Sequence, residues 1–387
     1  MSSRRSARWR RTSAALLLIG GSAFGSRDAG SAFAFRAGSA FGETRPTYVG
    51  RVPRSGPAVG LSRSRPARSL LKSDVLRSVA SLPPYIVGLF EEPTGFQQAA
   101  TGVYYVFDRR AHSIYTIDPA RTAARKAVDI GQEAGRIIQP FGVDVAADGS
   151  FVVADVPRGR QRVQTFSAAG DRLGGFFLPG RPAARVTIGN VMLNGISSIR
   201  HTGTTLLISH PESGGLFTEY SLGGYAMRSI GTLRQTGYEQ DRELHLAMNA
   251  GLPLVDPAGG YFYVFLAGRP VFRKYDAKGT LVYERLMQGR EIDDFIADQP
   301  TRWPRRQVED REVPFVSPTV TTAAVDPRGE LWVSFANGYT YVFDADGDKV
   351  RTVQFRGAGI INPTSLSFTR EGRLLVTPGC YEFDPDR

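Results

Sequence analysis

Pro140-Phe-Gly-Val-Asp-Val-Ala-Ala-Asp-Gly-Ser-Phe-Val-Val-Ala-Asp155 reads as two strands joined by a tight turn. Asp148-Gly149 supplies the turn, because glycine takes up the positive φ that other residues resist. The run that follows carries the β-branched and aromatic residues suited to a pleated, half-buried surface. The device recurs. Val325-Asp-Pro-Arg-Gly-Glu-Leu-Trp-Val333, Val255-Asp-Pro-Ala-Gly-Gly-Tyr-Phe-Tyr-Val264 and Phe368-Thr-Arg-Glu-Gly-Arg-Leu-Leu-Val376 are clear copies. Ile199-Arg-His-Thr-Gly-Thr-Thr-Leu-Leu-Ile208 and Ala100-Thr-Gly-Val-Tyr-Tyr-Val106 are degenerate ones. The turn glycines Gly102, Gly149, Gly203, Gly259, Gly329 and Gly372 lie 47, 54, 56, 70 and 43 residues apart. That spacing is close to the period of one four-stranded propeller blade.

A third strand follows in each copy, often with a second turn, as in Val163-Gln-Thr-Phe-Ser-Ala-Ala-Gly170 and Tyr341-Val-Phe-Asp-Ala-Asp-Gly347. Lys349-Val-Arg-Thr-Val-Gln-Phe355 then reads as a fourth strand. The expected fold is therefore all-β, a six-bladed β-propeller over residues 73–387. The last repeat supplies three strands before Arg387, and Ser73-Asp-Val-Leu-Arg-Ser-Val-Ala-Ser-Leu82 has the pattern of the missing outer one. Its addition would close the ring and remove exposed sheet edges. Residues 137–178 resemble an NHL-type repeat: the Pro140-Phe-Gly-Val-Asp start, the Asp148-Gly149 turn, Val-Val-Ala-Asp155 and the Arg162-Val-Gln-Thr-Phe166 strand stand in the family's order. The third and fourth repeats carry Ser209-His210 and Phe265-Leu266 where that family usually has Ala-Asp.

The N-terminus has another character. Arg4, Arg5, Arg8, Arg10 and Arg11 precede a short apolar stretch, residues 13–24, and then Ala32-Phe-Ala34. A basic start, a brief apolar core and an A-x-A site are the layout of a secretory signal peptide over residues 1–34, with export to the periplasm or exterior. An uncleaved anchor is the alternative, but a spanning helix needs about 20 apolar residues. Residues 35–72 form a basic arm rich in Pro, Gly and Arg, with no apolar periodicity, expected as a mobile linker or as a contact with an anionic membrane surface or acidic protein. The chain's net charge is +11, yet residues 1–77 alone carry +12 and the remainder −1. A nucleic-acid partner is therefore not expected. The single cysteine, Cys380, excludes an intrachain disulfide and reads as a buried small residue.

Metal ligands are sparse, with four histidines and no H-x-x-x-H pattern. Among propeller enzymes, amidating lyases assemble zinc from histidines on separate blades. Calcium-dependent lactonases use Asn, Asp and Glu around the central axis, hard oxygen ligands that suit that ion. Here His210 and His245 fall near strand ends expected on one side, and His201 on the other. Asn194, Asn249 and Asn362 each precede an innermost strand, and Asp155 ends a strand pointing the same way. These four are the candidate metal residues; the simpler reading is that each Asn bonds its own turn.

The long connections all fall on one side of the expected propeller: residues 179–193, 234–248 and 289–317, with the shorter 156–161 and 211–215. Binding residues concentrate on loops held by a rigid scaffold. Asp155, Arg158, His210, Asn249, Trp303, Arg305 and Arg306 are the candidate binding residues there. Residues 289–317, with Trp303 near Arg302, Arg305 and Arg306 and acids Glu291, Asp293, Asp294, Glu309 and Asp310, read either as a contact surface or as a solvated excursion over the channel mouth.

The absence of a catalytic motif favours an exported binding or scaffold module for a protein, peptide or envelope component, with no cofactor. The alternatives are a calcium- or zinc-dependent lactonase-like hydrolase or lyase with its site in the central channel, and a structural subunit of a larger envelope complex. N-terminal sequencing of the exported protein should read from Phe35; a mature chain starting at Met1 would contradict the signal-peptide assignment.

Overall fold

The computed structural model describes residues 62–63, 73–178, 184–188, 191–194, 198–308 and 311–387. Residues 1–34, and all of the arm but residues 62 and 63, lie outside the described residues, as do residues 309–310. The described chain is mostly strand, with few short helices, in a propeller-like arrangement.

Five of the turns that the sequence repeats are closed by one device. Asp148, Asp256 and Asp326 each precede a turn glycine, and the carboxylate accepts the backbone N–H two residues on, at 2.9 Å in all three. Asp276 and Asp344 do the same in the second turn of their repeats, and each also accepts an N–H four residues on. The side chain thus fixes the chain reversal while glycine absorbs the positive φ, +87° at Gly149 and +89° at Gly329. At Gly149 substitution is further barred, since an added Cβ would lie 2.8 Å from the Tyr105 hydroxyl.

Four repeats form separate antiparallel sheets. The first comprises Pro93–Gln98, Tyr104–Asp108, Ser113–Ile117 and Ala124–Val128; the second, Gly142–Val145, Phe151–Asp155, Arg162–Phe166 and Arg172–Phe177. The third comprises Ser198–His201, Thr205–Ser209, Gly215–Ser221 and Ala226–Thr232; the fourth, Gly251–Val255, Tyr261–Phe265, Val271–Tyr275 and Leu281–Leu286. Ser62–Arg63, within the expected arm, adds a short parallel strand beside Arg285 and Leu286.

The fifth repeat (Val320–Val325, Leu331–Phe335, Thr340–Phe343, Lys349–Arg356) and the sixth (Ser365–Phe368, Leu374–Thr377, Tyr381–Phe383) are not separate. Asp74–Ser81 joins them, with the short strand Ile360–Ile361 paired to Lys349–Arg356, into one nine-stranded sheet. Its first half runs parallel to the fifth repeat's outer strand, Asp74 facing Val353 and Arg77 facing Arg356. Its second half runs antiparallel to the C-terminal strand, Ser78 facing Phe383 and Ser81 facing Tyr381. Residues 73–82 do form a strand beside Tyr381–Phe383, but that strand serves two repeats.

Apolar residues pack between consecutive sheets. Phe107 and Ile114 of the first sheet meet Phe151 and Phe166 of the second, and Val152 and Val163 meet Leu206 and Ile208 of the third. Phe217 meets Tyr263 and Tyr275 of the fourth, while Phe262 and Phe272 meet Val333 and Phe343 of the fifth repeat. Trp332 and Val342 meet Leu374, Phe383 and Leu76. Leu375 and Cys380 of the sixth repeat return to Phe96 and Val106 of the first. Cys380 is buried as expected, and burial pushes its thiol up to about 12. First strands likewise touch in order from sheet to sheet, and Ser365–Phe368 touches Pro93–Gln98.

Truncation tests the joining strand. A chain beginning at residue 60 should melt near the full-length protein, whereas one beginning at Pro83 loses the paired backbone and the buried Leu76 and Leu82. With each kcal/mol worth roughly 2–4 °C in a chain this large, its Tm should fall by about 10 °C or more, with aggregation. Equal melting of the two in scanning calorimetry would refute the role given to residues 74–81.

Candidate functional site

Six first strands converge on a central cavity of ≈ 640 Å³, lined by Gln97, Asp144, Arg200, Leu252, Thr322 and Ser365 among others. Its wall is tied by one carboxylate. Asp144 accepts from Gln97 Nε2 (2.9 Å), from Arg200 Nη1 (2.9 Å) and from the His201 backbone N–H (2.7 Å). Gln97 Oε1 in turn accepts from the Val145 N–H at 2.8 Å. The charge-assisted bonds to Asp144 link the first strands of three consecutive sheets. Arg200, partly exposed and paired among the described residues with Asp144 alone, presents a cation to the cavity.

Phe141, Phe295 and Phe315 also line this cavity, the last two from the connection between the fourth sheet and the fifth repeat. That connection is built, not a solvated excursion. It holds the helix Arg290–Ala297 and the hairpin Arg305–Val308/Arg311–Pro314, and it buries Ile292, Val313 and Val316 in the core. Glu291 pins the helix, accepting from the Tyr341 hydroxyl at 2.8 Å, while its carbonyl accepts from Asn337 Nδ2 at 2.8 Å. The expected loop between the second and third sheets likewise contains a hairpin, Ala184–Ile188/Val191–Asn194. Its first strand touches the helix Arg242–Met248 and the strand Arg311–Pro314, so the three long connections gather into one cap.

A second cavity of ≈ 600 Å³ opens over the fourth sheet, between the connections that precede and follow it. Arg234, Arg269, Arg273, Glu284 and Trp303 line it, and Gln299 lines both cavities.

No protein-family profile matches the chain, and no curated protein matches it in sequence. Among solved structures it is similar to a streptogramin B lyase at a TM-score of 0.43 and 11% identity, covering 75% of this chain and 92% of that one. It is similar to virginiamycin B lyase from Staphylococcus aureus at 0.44 and 9%, covering 74% and 77%. It is similar to Kuenenia stuttgartiensis hydrazine synthase at 0.44 and 11%, covering 75% and 93%. All three TM-scores lie below 0.5, so it is the chain's own geometry that bears on its function.

The residues singled out from the sequence are dispersed and mostly engaged. Asp155 is fully buried and bound bidentately by Arg162, Nε at 2.8 Å and Nη2 at 2.6 Å, and accepts the Ile138 N–H at 3.0 Å. Burial pushes its carboxyl above the ordinary value, countered in part by Arg162 and Ile138. Arg162 also donates to the carbonyls of Gln132, Glu133 and Arg136, so the pair anchors the connection between the first and second sheets. Asn249 caps the helix Arg242–Met248 and is fully buried. Its Oδ1 accepts from the Arg234 N–H at 2.8 Å, and Nδ2 donates to the His245 carbonyl at 3.0 Å. Asn194 ends the strand Val191–Asn194. Asn362 donates to the Ala336 carbonyl at 2.9 Å and lines the central cavity.

His210 is buried with Nε2 3.2 Å from Glu212, while His245 shares a hydrogen bond with the Thr236 hydroxyl at 2.8 Å. Arg158 donates to Gln132 Oε1 at 3.1 Å. Arg305 pairs with Asp241, the N-cap of the helix Arg242–Met248, and Arg306 lies 4.0 Å over the Phe315 ring. Both arginines therefore brace the cap. Trp303 lines the second cavity.

Sequence reasoning missed Asp144, Arg200 and the arginines of the second cavity. Arg269 was within reach: it stands in the turn between second and third strands of its repeat, on the side already flagged by residues 156–161 and 211–215. Nothing local marks Arg234, whose surroundings come from residues 248, 267 and 269.

Asp155→Asn should be strongly destabilising, because it leaves the Arg162 cation buried without its counter-charge; such a loss costs about 3–5 kcal/mol. Urea unfolding measures it. An unchanged midpoint, with loss of a bound metal, would return Asp155 to the role of ligand.

Proposed function

We propose that the chain is an exported, six-bladed propeller that acts as a binding module, engaging a protein, peptide or envelope component through its capped end. The observation that carries the reading is the cap itself. Three long connections gather over one end, and the central cavity beneath them has aromatic residues Phe141, Phe295 and Phe315 beside the cation of Arg200. An aromatic rim with a charged, hydrogen-bonding wall suits a ligand that offers both apolar and polar groups.

Several features support a count of six blades. Core clusters follow one another from the first sheet through the sixth repeat and back to the first. In this reading Asp74–Ser81 is the outer strand that closes the sixth blade, and NHL-like repeats account for the turn pattern. Export rests on the layout of residues 1–34, and the basic arm would then meet an anionic surface. Binding is preferred to metal-dependent hydrolysis because Asp155 and Asn249 spend their oxygens on Arg162, Ile138 and Arg234.

Phe295→Ser with Phe315→Ser alters the rim and leaves the buried Ile292, Val313 and Val316 in place. Immobilised wild-type protein should enrich a defined component from an envelope extract. The double variant, with an unchanged circular dichroism spectrum, should lose at least about nine-tenths of it, as expected when aromatic anchors dominate an interface. Equal capture by both would overturn the reading. So would stoichiometric calcium or zinc in the dialysed protein together with turnover of a lactone, which would establish the enzymatic alternative.

A further inference from the structure

The second cavity holds more positive charge than the protein itself neutralises. Arg234, at the end of the third sheet, donates to the carbonyls of Arg269 (3.0 Å), Met248 (2.8 Å) and Ala267 (2.5 Å). Its guanidinium lies 4.1 Å over the Phe265 ring. No carboxylate among the described residues pairs with it. Desolvation, with Arg273 nearby, pulls its ionisation down to about 10, more than the nearby Glu284 offsets. Glu284 is close but is bound to Arg273. Arg269 is exposed at the rim, and no ion pair among the described residues engages it. Three cations thus face one anion.

Trp303 supplies a second, independent sign. Its indole Nε1 is buried and has no acceptor among the described residues, and a buried donor left without a partner is costly. Met248, Leu286 and Ile296 give the wall an apolar part, beside the polar Gln235, Thr236 and Gln299. We infer that this cavity is a binding site for a small amphipathic anion, whose carboxylate or phosphate sits among Arg234, Arg269 and the Trp303 N–H, and whose apolar body lies on Met248, Leu286 and Ile296. A volume of ≈ 600 Å³ accommodates a ligand of that size. The site stands independently of whatever the central cavity engages.

The full chain, titrated calorimetrically with octanoate, octyl phosphate, octan-1-ol and inorganic phosphate, tests the assignment. At least one of the two amphipathic anions should bind with a Kd at least tenfold below those of octanol and phosphate, weakening with added salt. The preferred anion identifies the head group. Arg269→Ala, an exposed position that should not disturb folding, should raise that Kd about tenfold. Trp303→Phe keeps an aromatic ring without the N–H and should raise it about threefold; both figures follow from loss of one charged or neutral hydrogen bond. Arg328→Ala, whose partner is Asp386, should change nothing. If the folded protein binds neither anion, binds octanol equally well, or keeps its affinity in Arg269→Ala, the inference is wrong.

Discussion

The second strand of a repeat has no face to spare for water. Tyr104–Asp108, Phe151–Asp155 and Leu331–Phe335 are buried at every position, so each such sheet needs a neighbour on both sides. A row of these sheets leaves an apolar face bare at either end unless the last meets the first. Here it does: Leu375 and Cys380 cover Phe96 and Val106. Asp74–Ser81 answers the related problem at the edge, since its backbone groups pair with the C-terminal strand and with the fifth repeat at once. The cap and both cavities are held by this frame.

Polar groups are placed where the frame allows them. At the outer turns, Asp148, Asp256 and Asp326 spend their carboxylates on local N–H groups, which fixes hairpin geometry and leaves little chemistry over. On the strands themselves, Asp144 and Asp155 each neutralise one arginine while holding backbone from another segment. A buried carboxylate that accepts three hydrogen bonds is a structural tie. Arg234 reverses the pattern, a half-buried cation whose side-chain hydrogen bonds among the described residues all go to carbonyls.

The all-β, propeller-like arrangement was legible because it rests on local signals repeated many times. A turn glycine after Asp, followed by Leu-Trp-Val or Phe-Val-Val, means the same thing wherever it occurs, and residues 73–82 announced a strand by their likeness to residues 348–355. The internal order of the long connections was not legible. Arg290–Ala297 is a helix of eight residues, too short for periodicity to declare itself, and its hold on the fifth repeat through Glu291 and Tyr341 spans 50 residues of sequence. The candidate site was legible only as a side of the molecule. Trp303 drew notice as an aromatic near arginines, but the arginines that share its cavity are Arg234, Arg269 and Arg273 rather than Arg305 and Arg306. Proximity in sequence was a poor guide, because the cavity is assembled from two connections and a turn.

The pairing of Ser78 with Phe383 joins positions 305 residues apart, whereas every hairpin within a repeat reverses over a few residues. Chain statistics make that remote contact less expensive than it looks. The entropy of bringing two ends together grows only with the logarithm of the intervening length, so closing this span costs about 2 kcal/mol more than closing a single repeat of ~45 residues. The cost in time is another matter, since contacts of high sequence separation form late. Folding should therefore proceed hairpin by hairpin and sheet by sheet, with Asp74–Ser81 docking last. Until it docks, Leu76 and the edge at Tyr381–Phe383 stay open to other chains, and that interval is when the protein is most exposed to aggregation.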